Sequence, residues 1–395
     1  MTSDPKNEKR DDTFCPHTTV EMNKTVFVQP AGDTTTGDAP RIPGDPIMQV
    51  MGGRKYEMKR VVGAGGMGVI YEAVDLKCER PVAIKVLLEE RKQQDGAHDR
   101  FTQEAKITAQ LEHPNIIPVH ELGNEASGNT FYSMKLVQGV TLADVLVDVR
   151  KGRQAVIEKY PLGRLLTVFQ KVCDAVAFSH GKGVIHRDLK PSNIMIGEYG
   201  EVLVLDWGLA VSGSYPGMTV PGSRKKSSGL APDGMDEKTT SNEIVGTPSF
   251  MAPEQVHGAS ADARSDIYSL GAILYSILTL HAPITGKEIK EVLRRIAEGD
   301  IEPPLEYNRK PSREKGRAIL PHCPGGRIPS FLSEVAMKAL ATDPTVRYQT
   351  VKELQSDIED YQNGMVWHLI VDEDFSDPDV LSRWEVVGGK CAIEG

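Results

Sequence analysis

The chain has 395 residues, long enough for two or three units at roughly 100–200 residues per domain, and its 39% hydrophobic content with 37 glycines fits a globular protein with a sizeable core. Acidic residues outnumber basic ones, 55 to 46, giving a formal net charge of −9, which argues against nucleic acid as a partner. Cys15, Cys78, Cys173, Cys323 and Cys391 include no C-x-x-C pair, so neither a disulfide framework nor a structural zinc site is readable, and a reducing cytosol fits.

The opening residues, MTSDPKNEKRDDTF, lack the apolar run of a secretory signal. The longest apolar stretch, Gly271 to Leu280, is about half of the ~20 residues that a membrane span requires. The expectation is a cytoplasmic protein with no membrane segment. Residues 1–53 are rich in Thr, Pro, Gly and Asp and poor in aromatics, which predicts a disordered arm. Its threonines, Thr25 included, read as solubilising residues more readily than as phosphorylation sites.

From Tyr56 the text becomes YEMKRVVGAGGMGVIYEAVD, apolar alternation on both sides of a glycine cluster, which is hairpin spacing. The G-x-G-x-x-G of Gly63, Gly65 and Gly68 is a weak signal alone. A dinucleotide fold needs a helix opening on the last glycine, but VIYEAV continues as a strand. The glycines therefore cap a two-strand flap whose backbone N–H groups can cover phosphates. RPVAIKVL follows as a short apolar strand with Lys85 in its middle. A lysine buried there needs an anion, and Glu104 supplies one if RFTQEAKITAQL, Arg100 to Leu111, is a helix packed on the sheet. A surface lysine and an ordinary helix glutamate fit the local pattern equally well.

Helical spacing of Leu165, Phe169, Val172 and Val176 leads into HGKGVIHRDLKPSNIMIG and EVLVLDWGLA. His186, Arg187, Asp188, Lys190, Asn193 and Asp206 fall on short loops between strand-like segments, a polar density too high for packing alone. Asp206 and the amide oxygen of Asn193 are hard donors suited to Mg²⁺. Asp188 is left to accept a hydroxyl proton.

In this order GAGGMGVIYEA, VAIK, HRDLKPSN, DWG and APE resemble a protein kinase, of the bacterial eukaryotic-like Ser/Thr type, over residues 54–364. The resemblance implies an α+β, two-lobed fold: a small antiparallel β lobe with one main helix over 54–136, and a larger helical lobe over 137–364. It implies ATP and Mg²⁺ as cofactors. Lys85 is expected on the α- and β-phosphates, paired with Glu104; Asp188 on the attacking hydroxyl; Lys190 on the γ-phosphate; Asn193 and Asp206 on the metal. The nucleotide is expected against Val62, Gly63, Ala64, Gly65, Gly66, Met67, Gly68, Ile70 and Ala83 above and Met195 below, with Met134 at the back and Leu136 in the hinge. Glu254 should pair with Arg347, and Asp266 should tie the catalytic loop to a buried helix. HRDLKPSN with Lys190, and GTPSFMAPE with Thr247 near Asp188 and Lys190, resemble the Ser/Thr branch, so the partners implied are protein Ser/Thr hydroxyls.

Two positions depart from the pattern. Trp207 stands where Phe is usual and needs a partner for its indole N–H. Thr108, one turn after Glu104, stands where an aliphatic residue is common; it either loosens the helix from the core or faces the surface. The segment from Asp206 to Glu254 is long for a loop, and Arg187 before the catalytic aspartate calls for a phosphate on it. Thr239, Thr240 and Ser241 are the expected sites of phosphorylation by another copy of the chain, ahead of Ser223, Ser227 and Ser228.

Thr285-x-x-Glu288 and Thr350-x-x-Glu353 read as capping boxes opening helices to Ala297 and Tyr361. Between them EYNRKPSREKGRAILPHCPGGR reads as a solvated basic insertion rather than a docking site. Residues 365–395, alternating strands with Asp and Gly turns, are similar to the start of a concanavalin-like jelly-roll and too short for a core of their own. The alternative to a kinase is a nucleotide-binding pseudokinase scaffold, which would be marked by loss of Lys85, Asp188, Asn193 or Asp206. None is lost.

Overall fold

The computed structural model of the chain describes residues 55–64, 68–87, 96–124, 130–208, 211–212, 248–259, 261–286, 288–309 and 320–365. The arm expected over 1–53, the second module expected beyond 365, Gly65 to Met67, Thr247 and the expected phosphorylation sites lie outside these residues.

The period-two pattern after Lys55 becomes an antiparallel sheet ordered β1-β2-β3-β5-β4, built from Tyr56–Ala64 (β1), Gly68–Asp75 (β2), Arg80–Leu87 (β3), Val119–Asn124 (β4) and Thr130–Lys135 (β5). β1 and β2 form the expected hairpin, with Gly63 opposite Ile70. Gly68 runs so close to β3 that a Cβ there would stand 2.4 Å from the Val86 carbonyl oxygen, so only glycine fits. β3 is buried from Val82 to Leu87, Lys85 included.

The expected helix is Ala97–Gln110 (α1), opening three residues before Arg100, and it turns Phe101, Glu104, Ala105, Ile107 and Thr108 inward. Thr108 therefore faces the core rather than the surface. Its hydroxyl donates to the Glu104 carbonyl at 2.8 Å, which satisfies the one polar group it buries. The turn after α1 is stitched to the second lobe: Ile117 N donates to Val204 O at 3.2 Å, Val204 N to Asn115 O at 2.8 Å, and Asn115 Nδ2 to Val202 O at 2.9 Å.

The larger lobe is helical, with Leu142–Arg150 (α2), Gln154–Lys159 (α3), Leu162–Gly181 (α4), Pro253–Val256 (α5), Ala263–Thr279 (α6), Ile289–Glu298 (α7), Ser330–Ala339 (α8) and Val351–Gln362 (α9). Gly139–Thr141 (β6), Ile194–Gly197 (β8) and Val202–Val204 (β9) make a three-stranded sheet, and Val184–Ile185 (β7) pairs with Val211–Ser212 (β10). α4 buries the face that carries Leu165, Phe169, Val172 and Val176, as its spacing implies. α6 is buried all round from Ser265 to Thr279, begins where the Asp262 side chain accepts from Arg264 N at 2.8 Å, and stops at Leu280 with φ 63°. A small antiparallel lobe and a helical one is the architecture expected.

One expectation needs correction. Thr285 caps nothing: α7 opens at Ile289 with Glu288 at its N-cap, and the Thr285 carbonyl instead accepts from Arg295 Nη1 at 3.0 Å. The S/T-x-x-E pattern is short enough to arise beside a helix start without forming the box. Residues 310–319 of the basic insertion lie outside the described residues; after them Leu320, His322 and Cys323 are buried, and His322 Nε2 bonds the Ile277 carbonyl at 2.7 Å. Thr350 does cap α9, accepting from Glu353 N, while Glu353 reaches Gln349 N at 2.9 Å.

Candidate active site

β3 and α1 deliver the first pair. Lys85 Nζ donates to Glu104 Oε1 at 2.6 Å, with both side chains buried, and stands 3.6 Å from Asp206 Oδ1. Burial opposes the charge on Lys85, but Glu104, Tyr132 and Asp206 outweigh it and hold its pKa well above the ordinary lysine value. The sequence left the pairing of Lys85 with Glu104 open; the packing of α1 on the sheet decides for it.

The two loops of the larger lobe supply the rest. Lys190 Nζ donates to Asp188 Oδ2 at 2.7 Å, and Asn193 Nδ2 donates to the Asp188 carbonyl at 2.8 Å. Leu205 N donates to Asn193 O at 2.9 Å, which brings the segment after β9 that carries Asp206 against the loop carrying Asp188. Arg187 and Asp206 both adopt positive φ, 66° and 61°, a conformation that non-glycine residues hold only where surroundings impose it. For Arg187 the surroundings are identifiable. Asp266, wholly buried on α6, accepts from His186 N and Arg187 N at 2.8 Å each, and Gln255 Nε2 donates to Arg187 O at 3.1 Å. Burial pushes the Asp266 carboxyl up, but His180, 2.8 Å away, and His186 bring it below the usual range.

Val62, Ile70, Ala83, Met134 and Met195 converge in one apolar cluster with Tyr132 and Leu205, and Leu136 packs against it. These are the residues expected around an adenine ring, drawn from both lobes, and they suit a flat apolar ligand. Gly63 and Gly68 are buried beside them, whereas Ala64 is exposed.

For magnesium the donor set fits. The Asp206 side chain is 40% exposed, and burial pushes its carboxyl up less than Lys85, Lys190 and His186 pull it down, so it is ionised. Asn193 uses its amide N–H₂ on Asp188, which leaves its carbonyl oxygen free as a ligand. Among the described residues no group of three or more His, Cys, Asp or Glu could hold a metal. Two protein oxygens, completed by water and phosphate, are the coordination that Mg²⁺ accepts.

Trp207 is buried with its ring centroid 4.5 Å from that of His186, and its Nε1 finds no hydrogen-bond partner among the described residues. Gly208 passes under α1 closely enough that a Cβ would lie 3.0 Å from Glu104 Oε2. Glu254 and Arg347 form the expected pair, at 2.8 Å on both nitrogens. The sequence reading missed Tyr132, His180 and Gln255 as partners. No local motif marks them, because each meets its partner across a tertiary contact.

These features define a protein kinase fold, and residues 56–357 match the protein kinase domain family, to which the chain belongs. Within it the chain is similar to the serine/threonine-protein kinase PknD of Chlamydia felis, 39% identical over 319 residues, 79% of this chain and 31% of that protein. It is similar also to PknD of Chlamydia abortus, 37% identical over 78% of this chain and 31% of that protein. PknD of Chlamydia pneumoniae is 36% identical over 78% of this chain and 31% of its own length. All three relatives are named as serine/threonine-protein kinases. It spans about a third of the length of the curated relatives it matches.

Proposed function

We propose that the chain acts as an ATP- and magnesium-dependent protein serine/threonine kinase. The observation that carries this reading is the assembly of Lys85, Asp188, Lys190, Asn193 and Asp206 beside one apolar cluster drawn from both lobes, with no member missing. In this reading Lys85, held by Glu104, binds the nucleotide's α- and β-phosphates. Asp188 orients the attacking hydroxyl and accepts its proton, and Lys190 offsets negative charge on the transferring group. Asn193 and Asp206 would hold magnesium, which neutralises phosphate oxygens when bound. Fixed cations suit a transition state that spreads charge over phosphoryl oxygens. The preference for Ser and Thr rests on Lys190 in HRDLKPSN and on the names of the relatives.

Regulation follows from Arg187. Among the described residues its Nε is buried without a partner, and Nη2 has only a 3.5 Å contact to the Ala261 carbonyl. A phosphate on Thr239, Thr240 or Ser241, placed there by a second copy, would complete it. No helix among the described residues is long and apolar enough to cross a membrane, and a cytoplasmic location is part of the proposal.

The test is incubation with MgATP beside Asp188→Asn, followed by mapping of phosphate. Phosphate on Thr239, Thr240 or Ser241 in the wild type alone supports both the activity and its control. ATP binding without transfer, to itself or to a generic basic protein, would favour the nucleotide-binding scaffold.

A further inference from the structure

We propose that Tyr132 is a positioning residue for phosphoryl transfer: its phenol donates to Glu104 and so holds α1 in the inward arrangement that keeps Lys85 in place. The proposal rests on the kinase reading above and adds a residue from a third element to the Lys85–Glu104 pair.

The geometry starts from sheet register. β3 and β5 pair with Lys85 directly opposite Tyr132, so both side chains leave the same face, with Cβ atoms about 4.5–5.5 Å apart. Glu104 descends from α1 between them. Tyr132 Oη donates to Glu104 Oε1 at 2.6 Å, the same oxygen that accepts from Lys85 Nζ at 2.6 Å. Neighbouring strands thus hold one carboxylate oxygen with two donors. The Tyr132 ring also packs on Phe101 of α1 at 5.2 Å between centroids, and Lys85 Nζ lies 5.7 Å from its centre.

The other oxygen explains why the phenol matters. Glu104 Oε2 is buried with no hydrogen-bond partner among the described residues. A buried carboxylate already short of one partner is poorly placed to lose another. Without the phenol, Glu104 gains by turning out to water, which takes the inner face of α1 with it and frees Lys85. Burial and the charge of Glu104 push the phenol's pKa well above its ordinary value, so Tyr132 remains a donor throughout the physiological range. The ring, by contrast, belongs to the apolar cluster with Val62, Ile70 and Met134. Phenylalanine would fill that space equally well, which separates the hydroxyl's role from packing.

The experiment is a double-mutant cycle in the full chain: wild type, Y132F, E104Q and Y132F/E104Q. Turnover and KM for ATP are read with a generic basic protein as acceptor, and affinity for a fluorescent ATP analogue and the melting temperature are read alongside. A buried hydrogen bond to a charged group contributes on the order of tenfold or more to an equilibrium. Y132F is therefore expected to lower kcat/KM for ATP about tenfold, mainly through KM, and to weaken analogue binding, with faster amide exchange confined to α1. In the E104Q background the same change is expected to cost less than about twofold, because the partner is already neutral. The proposal is overturned if Y132F stays within twofold of wild type in analogue affinity and kcat/KM. It is equally overturned if the loss is the same with E104Q present, or if Y132F melts lower in both backgrounds by the same amount, since either marks packing. Should the wild type bind the analogue yet transfer no phosphate, the kinase reading fails, and the cycle in analogue affinity still decides the role of Tyr132.

Discussion

Lys85 and Arg347 are the two buried cations among the described residues, one in each lobe, and they are partnered in opposite ways. Arg347 uses all five N–H groups: Nε on Ala341 O at 2.6 Å, Nη1 on Glu254 Oε1 at 2.8 Å and Arg264 O at 2.9 Å, Nη2 on Glu254 Oε2 at 2.8 Å and Thr342 O at 3.0 Å. Among the described residues Lys85 has one hydrogen bond, to Glu104, and a longer ion pair with Asp206. The saturated cation has no capacity left for a ligand and serves only the fold. The other retains donor capacity beside the partly exposed Asp206 carboxylate, where, in the proposed function, phosphate oxygens would accept it. Glu104 Oε2, Arg187 Nε and Trp207 Nε1, all beside the proposed site, are among the buried polar atoms without a hydrogen-bond partner among the described residues.

The contrast can be broken in several ways. The largest effect is expected on the catalytic side: Asp188→Asn should lower phosphoryl transfer by roughly 10²–10⁴-fold, while analogue binding and melting temperature stay near wild type. Retained transfer would remove Asp188 from the chemistry. On the saturated side, Arg347→Met takes the charged partner from the largely enclosed Glu254 carboxylate, leaving it only the Ser265 hydroxyl, and should reduce stability to urea by about 3 kcal/mol.

The same pair sets an acid limb. Burial pushes the Glu254 carboxyl up, but hydrogen bonds from Arg347 and Ser265 more than offset this, so its folded pKa lies below the ordinary glutamate value. Such a group contributes stability that is present above its unfolded pKa, about 4.3, and is lost as pH falls through the folded value. Urea titrations from pH 6 down to 3 should therefore show a shallower loss for Glu254→Gln than for wild type. Identical slopes would assign the limb to other carboxylates.

Smaller effects sharpen the comparison. Gly208→Ala puts a methyl 3.0 Å from Glu104 Oε2 and 3.4 Å from Asp206 Oδ1, and should lower kcat/KM for ATP several-fold with little change in melting. The smallest is Thr350→Ala, which removes the cap of α9 far from the site. It should lower stability by about 1 kcal/mol, with activity per folded molecule unchanged.

Legibility in the sequence followed the range of the interaction. The glycine hairpin, the loops carrying Asp188 and Asn193, and the helix over Leu165 to Val176 were readable because turn chemistry and periodicity act within a few residues. The pairings of Glu254 with Arg347 and of Asp266 with the catalytic loop came from the resemblance alone, since each partner lies far along the chain. Thr285 misled because a four-residue pattern says nothing about where the helix after it begins. The Thr141–Asp144 box that does open α2 has Asp where the motif is usually Glu.

The sequence alone therefore determined the inventory of this protein: a kinase fold, its order of elements, and the residue types needed for phosphoryl transfer. Only the tertiary structure decided how that inventory is wired. Whether Lys85 meets Glu104, whether Thr108 faces in or out, and that Tyr132 reaches the same carboxylate all depend on strand register and on how α1 seats against the sheet. Those are set by packing over the whole small lobe, where moving a strand by one residue exchanges its faces, so no local stretch of the chain could contain them.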